Sequence, residues 1–209
     1  MKRCHLAVFA SGRGSNFENI IHKQKEGYIP VNIVLLVTNN PEAGVIKIAR
    51  QNGIEIRVIS PKDFPDSSLF NDDILKELIH FNIDIIALAG YLKLIGEQII
   101  NRFENKILNI HPALLPSFGG KGMYGHHVHQ AVFESSAKVS GATVHLVNKE
   151  YDRGPIVIQK CVSIDDVQSP EDIAKRGLTI EHDIYPQAIK YLAEDRLYIN
   201  NNRVLIKPG

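Results

Sequence analysis

The sequence has few cysteines and no long hydrophobic run. Cys4 and Cys161 are far apart and neither belongs to a C-x-x-C pair, so zinc and redox motifs of that type have no support. No apolar run approaches the roughly 20 residues that span a bilayer. The apolar stretch at the N-terminus ends at Gly12 and Arg13, which favours a first strand over a signal peptide. These absences predict a soluble protein of the reducing cytoplasm, with no membrane partner.

An excess of charge of one sign is also missing. The chain has 24 Lys and Arg against 23 Asp and Glu, and the basic residues are scattered rather than gathered into a stripe. This pattern argues against a nucleic-acid partner. With 209 residues and 44% hydrophobic content, the chain is long enough for one full-sized core and too short for two ordinary domains. We therefore expect a single domain over residues 1–209.

Short apolar runs alternate with segments of helical spacing through the first half of the chain. The runs predict strands at 6–10, 33–37, 55–59, 83–88 and 107–110, and the segments between them predict helices at 15–25, 43–51, 67–80 and 96–102. This order favours an α/β fold with a Rossmann-like, open, mainly parallel central sheet flanked by helices. Because ligands bind at the carboxyl ends of such strands, we expect a cleft just after Ala10, Leu88 and Ile110.

The second half, 111–209, has a different character. Four glycines in 117–127 predict a long functional loop. Strands predicted at 141–147 and 156–162 form a hairpin, and a helix capped by Ser169 runs with interruptions toward Ala193. Two short strands around an Asn turn close an antiparallel C-terminal portion.

The segment SGRGSN at 11–16 lies between the first predicted strand and helix. Its glycines allow a sharp turn and close backbone approach, and the free N–H groups of the following helix attract a phosphate. The segment lacks the Walker lysine, and Phe17 stands where a dinucleotide fingerprint has its third glycine. We therefore interpret 1–110 as a phosphate-binding βαβ half. The alternative is a simple turn with Ser15 as the helix cap.

Three polar residues are candidates for chemistry in the second half. Asn109 and His111 are two apart at the end of a predicted strand, so both project to the same side and suit an oxyanion. Asp152 is a carboxylate that could orient His111 and raise its pKa. The alternatives are a structural histidine at a strand end and an aspartate that caps its own turn.

Other candidate sites have weaker support. His126, His127 and His129 lack a carboxylate or thiolate at the usual ligand spacing, so we expect a solvated loop there and no metal site. No G-x-S-x-G elbow is present and neither cysteine has a local catalytic signature, so nucleophilic covalent catalysis has no support.

Five segments together resemble one known family. They are GSN at 14–16, AGYLKLI at 89–95, NIHPALLP at 109–116, YDRGPI at 151–156 and EHDIYP at 181–186. In the same order and spacing, they are similar to the phosphoribosylglycinamide formyltransferases almost from end to end. The resemblance implies transfer of a formyl group from 10-formyltetrahydrofolate to the amine of 5-phosphoribosylglycinamide, in purine (IMP) biosynthesis, with no metal.

The resemblance also implies roles for individual residues. Asn109, His111 and Asp152 match the catalytic trio. Because a nearby carboxylate stabilises an imidazolium, we expect Asp152 to keep His111 charged at neutral pH. The substrate-binding positions are Gly14, Ser15, Asn16 and Phe17. The folate-binding positions are Ser67, Leu92, Lys93, Leu94, Ile95 and Asn109.

The sequence departs from the family pattern at two positions and in one loop. Arg153 replaces a glycine of the common D-G-G-P turn, and Ser67 stands where many relatives have an arginine near the folate. The loop at 119–125 is longer than in some relatives.

Several functions remain open at this level. A formyltetrahydrofolate hydrolase, or a formyl-folate transferase acting on initiator tRNA or a sugar nucleotide, would share the N-x-H motif and the distant aspartate. Such enzymes ordinarily carry a further domain, which we do not find in the sequence. A noncatalytic nucleotide- or folate-binding module on the same scaffold is the alternative from another class. A monomer and a homodimer are both compatible with the sequence.

Overall fold

The computed structural model describes residues 3–208, which form a central sheet covered by helices on both faces. The strands are β1 (Cys4–Phe9), β2 (Val31–Thr38), β3 (Glu55–Val58), β4 (Ile85–Leu88), β5 (Ile107–His111), β6 (Val139–Leu146), β7 (Ile156–Ser163), β8 (Leu197–Asn200) and β9 (Arg203–Ile206). The helices are α1 (Ser15–Lys25), α2 (Val45–Gln51), α3 (Ser67–His80), α4 (Glu97–Arg102), α5 (His126–Glu134) and α6 (Pro170–Ala193).

The strand order among the described residues is β3-β2-β1-β4-β5-β6-β7. The first five strands in this order pair in parallel, and β6 and β7 continue the sheet as an antiparallel hairpin. The predicted α/β class with a mainly parallel sheet is confirmed. Strand β4, within the run predicted as a strand at 83–88, lies at the centre of the sheet with all four residues buried.

The sheet buries its two faces in two separate clusters. Leu6 and Val8 of β1 pack with residues of α1 and α6, whereas Ala7 and Phe9 pack with residues of α3 and α4. Because successive side chains of a strand point to opposite faces, one continuously apolar strand supplies both clusters. This double burial fixes the carboxyl ends of β1, β4 and β5 beside one another.

Helix α5 is not predicted from the sequence. The glycine-rich loop is predicted to extend to residue 127, whereas α5 begins at His126. The glycines end at Gly125, and Val128 and Val132 of α5 then pack against Ala113 and Ile173. The helix therefore forms because tertiary packing supplies an apolar partner for its inner face.

The predicted interruptions in the last long helix are also wrong. Ser169 caps α6 through its hydroxyl, which accepts from the Asp172 N–H at 3.3 Å, and the helix then continues through Pro186. Packing of buried Tyr185 and Ala188 against the sheet holds the helix together across the proline. No helix in the described part of the chain is long and apolar enough to cross a membrane.

Tyr185 links α6 to β4 and β5, the two neighbouring strands that lead to the site. Its side chain is fully buried, and its hydroxyl donates to the Leu88 carbonyl at 2.8 Å and lies 3.3 Å from the Leu108 carbonyl. The hydroxyl thus connects the helix to the end of β4 and to the adjacent strand β5.

We expect Tyr185→Phe to lower the free energy of unfolding by about 1 to 2 kcal/mol, because a buried hydrogen bond is lost while the ring packing remains. Urea denaturation measures the change. The control is Tyr198→Phe on β8, where the side chain is half exposed and the expected change is within about 0.5 kcal/mol. Equal stability of wild type and Tyr185→Phe would contradict a stabilising hydrogen bond from the Tyr185 hydroxyl.

Candidate active site

A cavity of about 410 Å³ opens at the carboxyl ends of β1, β4 and β5. Its lining includes Gly14 after β1, Gly90 after β4, His111 at the end of β5 and Asp152 after β6. The sequence-predicted cleft therefore exists, and residues from both halves of the chain meet in it.

Strand β5 places two of the predicted residues side by side. Asn109 and His111 are two apart on β5, and both line the cavity as the strand period predicts. The antiparallel partner β6 puts His145 directly opposite Asn109. An imidazole that sequence reasoning missed therefore joins the pair, and only the register of β5 against β6 identifies it.

The Asp152 carboxylate lies at the centre of this group. Its Oδ2 accepts from the Gly120 N–H at 2.9 Å and lies 3.6 Å from His111 Nδ1. Its Oδ1 lies 3.5 Å from His145 Nε2 and 3.4 Å from Asn109 Nδ2. Burial raises the pKa of Asp152. The nearby histidines and the Gly120 N–H lower this pKa by a larger amount, so the net shift is downward. The carboxylate therefore stays charged at neutral pH.

The turn after β6 holds Asp152 in an unusual backbone conformation. Asp152 has a φ of 54°, in the left-handed region. Two residues later, a Cβ on Gly154 would lie 1.7 Å from the Leu146 carbonyl oxygen, so only glycine fits there. Arg153 is not among the residues with positive φ, so the arginine occupies the turn position that tolerates a side chain.

His111 is almost completely buried, and both of its ring nitrogens face acceptors. Its Nε2 lies 2.8 Å from the Phe118 carbonyl oxygen and therefore donates to it. Burial lowers the pKa of His111, and the raising effects of Asp152 and of the Phe118 carbonyl only partly offset it. The expectation that Asp152 keeps His111 charged at neutral pH is therefore wrong, because desolvation of the ring outweighs the carboxylate.

The hydrogen bonds of His145 define how Asn109 is oriented. His145 Nδ1 lies 2.8 Å from the Leu146 carbonyl, so this nitrogen carries the proton. Nε2 of the neutral ring is then an acceptor, and Asn109 Nδ2 donates to it at 3.0 Å. This chain of contacts turns the amide N–H₂ of Asn109 toward the group formed by Asp152 and the two histidines.

The glycine-rich turn after β1 leads directly into α1. Gly14 is the residue before the helix, with a φ of 89°, and a Cβ there would lie 2.9 Å from Val45. The helix has no side-chain cap, so the alternative of Ser15 as a cap is wrong. The first N–H groups of α1 therefore remain available to an anion, as the motif predicts.

The predicted substrate-binding residues do not all reach the cavity. Gly14, Ser15 and Asn16 line it, whereas the Phe17 side chain is fully buried in the core below. Asn16 Nδ2 donates at 2.6 Å to Glu181, a buried carboxyl that also lines the cavity. Burial raises the pKa of Glu181, and the bond from Asn16 offsets this in part.

Glu181 is not among the predicted site residues, although its position in the helix pattern indicates a buried polar group. Glu181 lies on the buried face of α6, between Gly177 and Ile184. A charged residue at this position in an apolar stripe indicates a polar partner or a ligand.

The predicted folate segment forms another wall of the cavity. Leu92, Lys93, Leu94 and Ile95 line it; the first and third are half exposed and Ile95 is buried. The Leu92 N–H donates to Ser11 Oγ at 3.0 Å, which fixes the segment against the glycine-rich turn. Ser67 begins α3 and is not among the lining residues.

The three nearby histidines differ in their surroundings. The solvated loop expected for them is wrong, since all three belong to α5, and His129 is buried while His126 and His127 are exposed. Within residues 3–208, no group of three or more His, Cys, Asp or Glu side chains is arranged to hold a metal ion.

Several known proteins are similar to this chain in sequence and in fold. The formyl transferase family profile matches residues 4–189. A chloroplastic phosphoribosylglycinamide formyltransferase of Arabidopsis thaliana is 45% identical, over 94% of this chain and 68% of the relative. The phosphoribosylglycinamide formyltransferase of Bacillus subtilis is 40% identical, over 90% of this chain and 93% of the relative.

A solved structure has the same architecture along nearly its whole length. The crystal structure of glycinamide ribonucleotide transformylase 1 from Symbiobacterium toebii superposes with a TM-score of 0.93 at 34% identity, covering 99% of this chain and 95% of that one. The chain therefore belongs to the formyl transferase family and groups within it with the phosphoribosylglycinamide formyltransferases.

Proposed function

We propose that the protein transfers a formyl group from 10-formyltetrahydrofolate to the amine of 5-phosphoribosylglycinamide, as a step of purine biosynthesis. The observation that carries this proposal is the convergence of Asn109, His111 and Asp152 in one cavity with the uncapped start of α1. An anion held at α1 would place an attached amine within reach of the polar group on β5. The names of the relatives support the same reaction.

Asn109 and His111 are the donors for the charge that develops on the formyl oxygen. The amine attacks the formyl carbon as a neutral nucleophile, and the carbonyl oxygen gains negative charge. The Nδ2 of Asn109 and the Nε2 of His111 both carry protons that suit this oxyanion. Because the Phe118 carbonyl accepts from His111 Nε2 in this structure, the loop at 117–125 has to shift before that donor is available.

Asp152 is a positioning residue in this mechanism. Its carboxylate contacts His111, His145 and the Gly120 N–H, so it orients the ring and anchors the loop. A neutral ring with a lowered pKa donates one hydrogen bond and takes up a proton as the oxyanion forms beside it. The proton lost by the amine then reaches the folate nitrogen through His111 or a water molecule.

The cellular setting and the extent of the functional unit belong to the same proposal. We place the protein in the cytoplasm, where its two free cysteines, one of them exposed, remain reduced. We treat residues 1–209 as one functional unit, because the cavity takes residues from both 1–110 and 111–209. The substrates are small molecules, and the unit acts as a monomer or a homodimer.

A spectrophotometric assay of formyl-folate consumption, with and without phosphoribosylglycinamide, tests the reaction. We expect turnover only when both substrates are present. Turnover without the amine substrate would instead identify a hydrolase. No turnover under either condition would favour a binding module.

We expect Asp152→Asn to lower kcat about a hundredfold or more, a loss typical of an oxyanion donor that is removed or misplaced. The amide keeps the shape of the side chain but lacks the negative charge that accepts from the Gly120 N–H and that favours protonation of His111. Asp73→Asn on α3, outside the cavity lining, is the matched control and should keep wild-type turnover. Near-normal turnover of Asp152→Asn would remove the carboxylate from the mechanism.

The lowered pKa of His111 predicts a specific dependence of stability on pH. The ring in the unfolded chain takes up a proton near pH 6.5, whereas the folded ring does so only at lower pH. The unfolded state therefore binds more protons below about pH 6.5, and the contribution of His111 to stability falls as pH falls. Urea denaturation of wild type and His111→Gln from pH 8 to pH 5 measures this contribution as a difference in the free energy of unfolding.

We expect the stability of wild type relative to His111→Gln to decrease as the pH is lowered below about 6.5. An increase over the same range would mean that Asp152 raises the pKa of His111 above its ordinary value. That result would restore the charged imidazole as the resting form.

A further inference from the structure

His129 is a buried imidazole for which the proposed mechanism has no use. It lies on the inner face of α5 beside Val128 and Val132 and is only 8% exposed. The neighbouring His127 is exposed and packs edge to face against Tyr124. The two side chains therefore have different surroundings, although they are two residues apart.

The Nδ1 atom of His129 is buried and has no hydrogen-bond partner among residues 3–208. Leaving such a group unsatisfied is costly, so this position favours a polar partner that the described residues do not supply. His129 lines the same cavity as Asn109 and His111, together with Ala174, Leu178 and Glu181 of α6. A molecule bound in the cavity can therefore contact the ring of His129.

The contacts of α6 locate His129 relative to the start of α1. A Cβ on Gly177 would lie 3.8 Å from His129 Cε1, so the ring lies against this turn of α6. Glu181 is one turn further, about 6 Å along the helix axis. Its carboxyl holds Asn16 of the first turn of α1 at 2.6 Å, and Asn16 Oδ1 is also buried without a partner among the described residues. Two unsatisfied polar atoms therefore flank the α1 end of the cavity.

The charges around His129 favour a neutral ring that acts as a hydrogen-bond donor. Burial lowers its pKa, the charges of His126 and His111 lower it further, and Glu171 raises it in part. A neutral imidazole brings one N–H to the cavity without adding a buried charge. An anion with several acceptor oxygens matches that N–H together with the free N–H groups of α1.

We propose that His129 is a specificity-determining residue, whose ring N–H donates to the phosphate monoester of the phosphoribosyl substrate held at the start of α1. This assignment rests on the proposed function, because it takes the phosphoribosyl group as the occupant of that end of the cavity. His129 acts in binding and does not touch the reacting carbon.

His129→Phe tests the assignment, because it keeps a ring in the buried space and removes the nitrogen. We expect the KM for phosphoribosylglycinamide and the Kd for ribose 5-phosphate, measured by calorimetry, each to rise about tenfold, with kcat changed by less than about twofold. Thermal stability without ligand should stay equal or increase, since an unsatisfied polar atom is replaced by an apolar one. His127→Phe, on the exposed face of α5, is the matched control and should leave all three quantities unchanged.

The outcomes separate this inference from the proposed function. Wild type without any formyl transfer would contradict the proposed function. Wild-type transfer together with an unchanged KM and Kd in His129→Phe would overturn only the role of His129, as would a loss of kcat at constant KM. If His129→Phe does not fold, a crystal structure of wild type with ribose 5-phosphate decides. A phosphate oxygen about 3 Å from a ring nitrogen of His129 supports the inference, and a phosphate bound elsewhere overturns it.

Discussion

The site depends on one largely buried carboxylate that lies at the centre of several polar groups. Asp152 lies among His111, His145, Asn109 and the Gly120 N–H, and removing its charge would leave these groups without a common partner. Its own placement depends on a left-handed backbone at position 152 and on the close approach of Gly154 to the Leu146 carbonyl. The carboxylate thus joins the turn after β6, the two paired strands and the loop at 117–125.

The parallel sheet makes this arrangement possible. Double burial of β1 and β4 forces the ends of sequence-distant strands to one edge, where glycine-rich turns can approach a ligand. The antiparallel strand β6 then brings His145 opposite Asn109, and α6 closes the cavity with Glu181. Apolar packing on both faces of the sheet therefore supplies rigid positions for polar groups that would otherwise be costly to bury.

Much of this arrangement could be predicted from the sequence, because its signals are local. Continuous apolar runs predict the parallel strands, and the spacing of Asn109 and His111 predicts that they share a side. Helix α5, the partnership of His145 and the burial of His129 depend instead on contacts across the fold. The pKa of His111 could not be predicted either, since the balance between burial and a carboxylate requires coordinates.

A double-mutant cycle in kcat/KM between Asp152→Asn and His111→Gln tests most directly whether these residues act as one unit. If Asp152 acts through the ring of His111, the double variant should lose little more activity than the more damaged single variant. Losses that multiply would mean that the two residues act independently, and would contradict the shared carboxylate as the organising feature of the site.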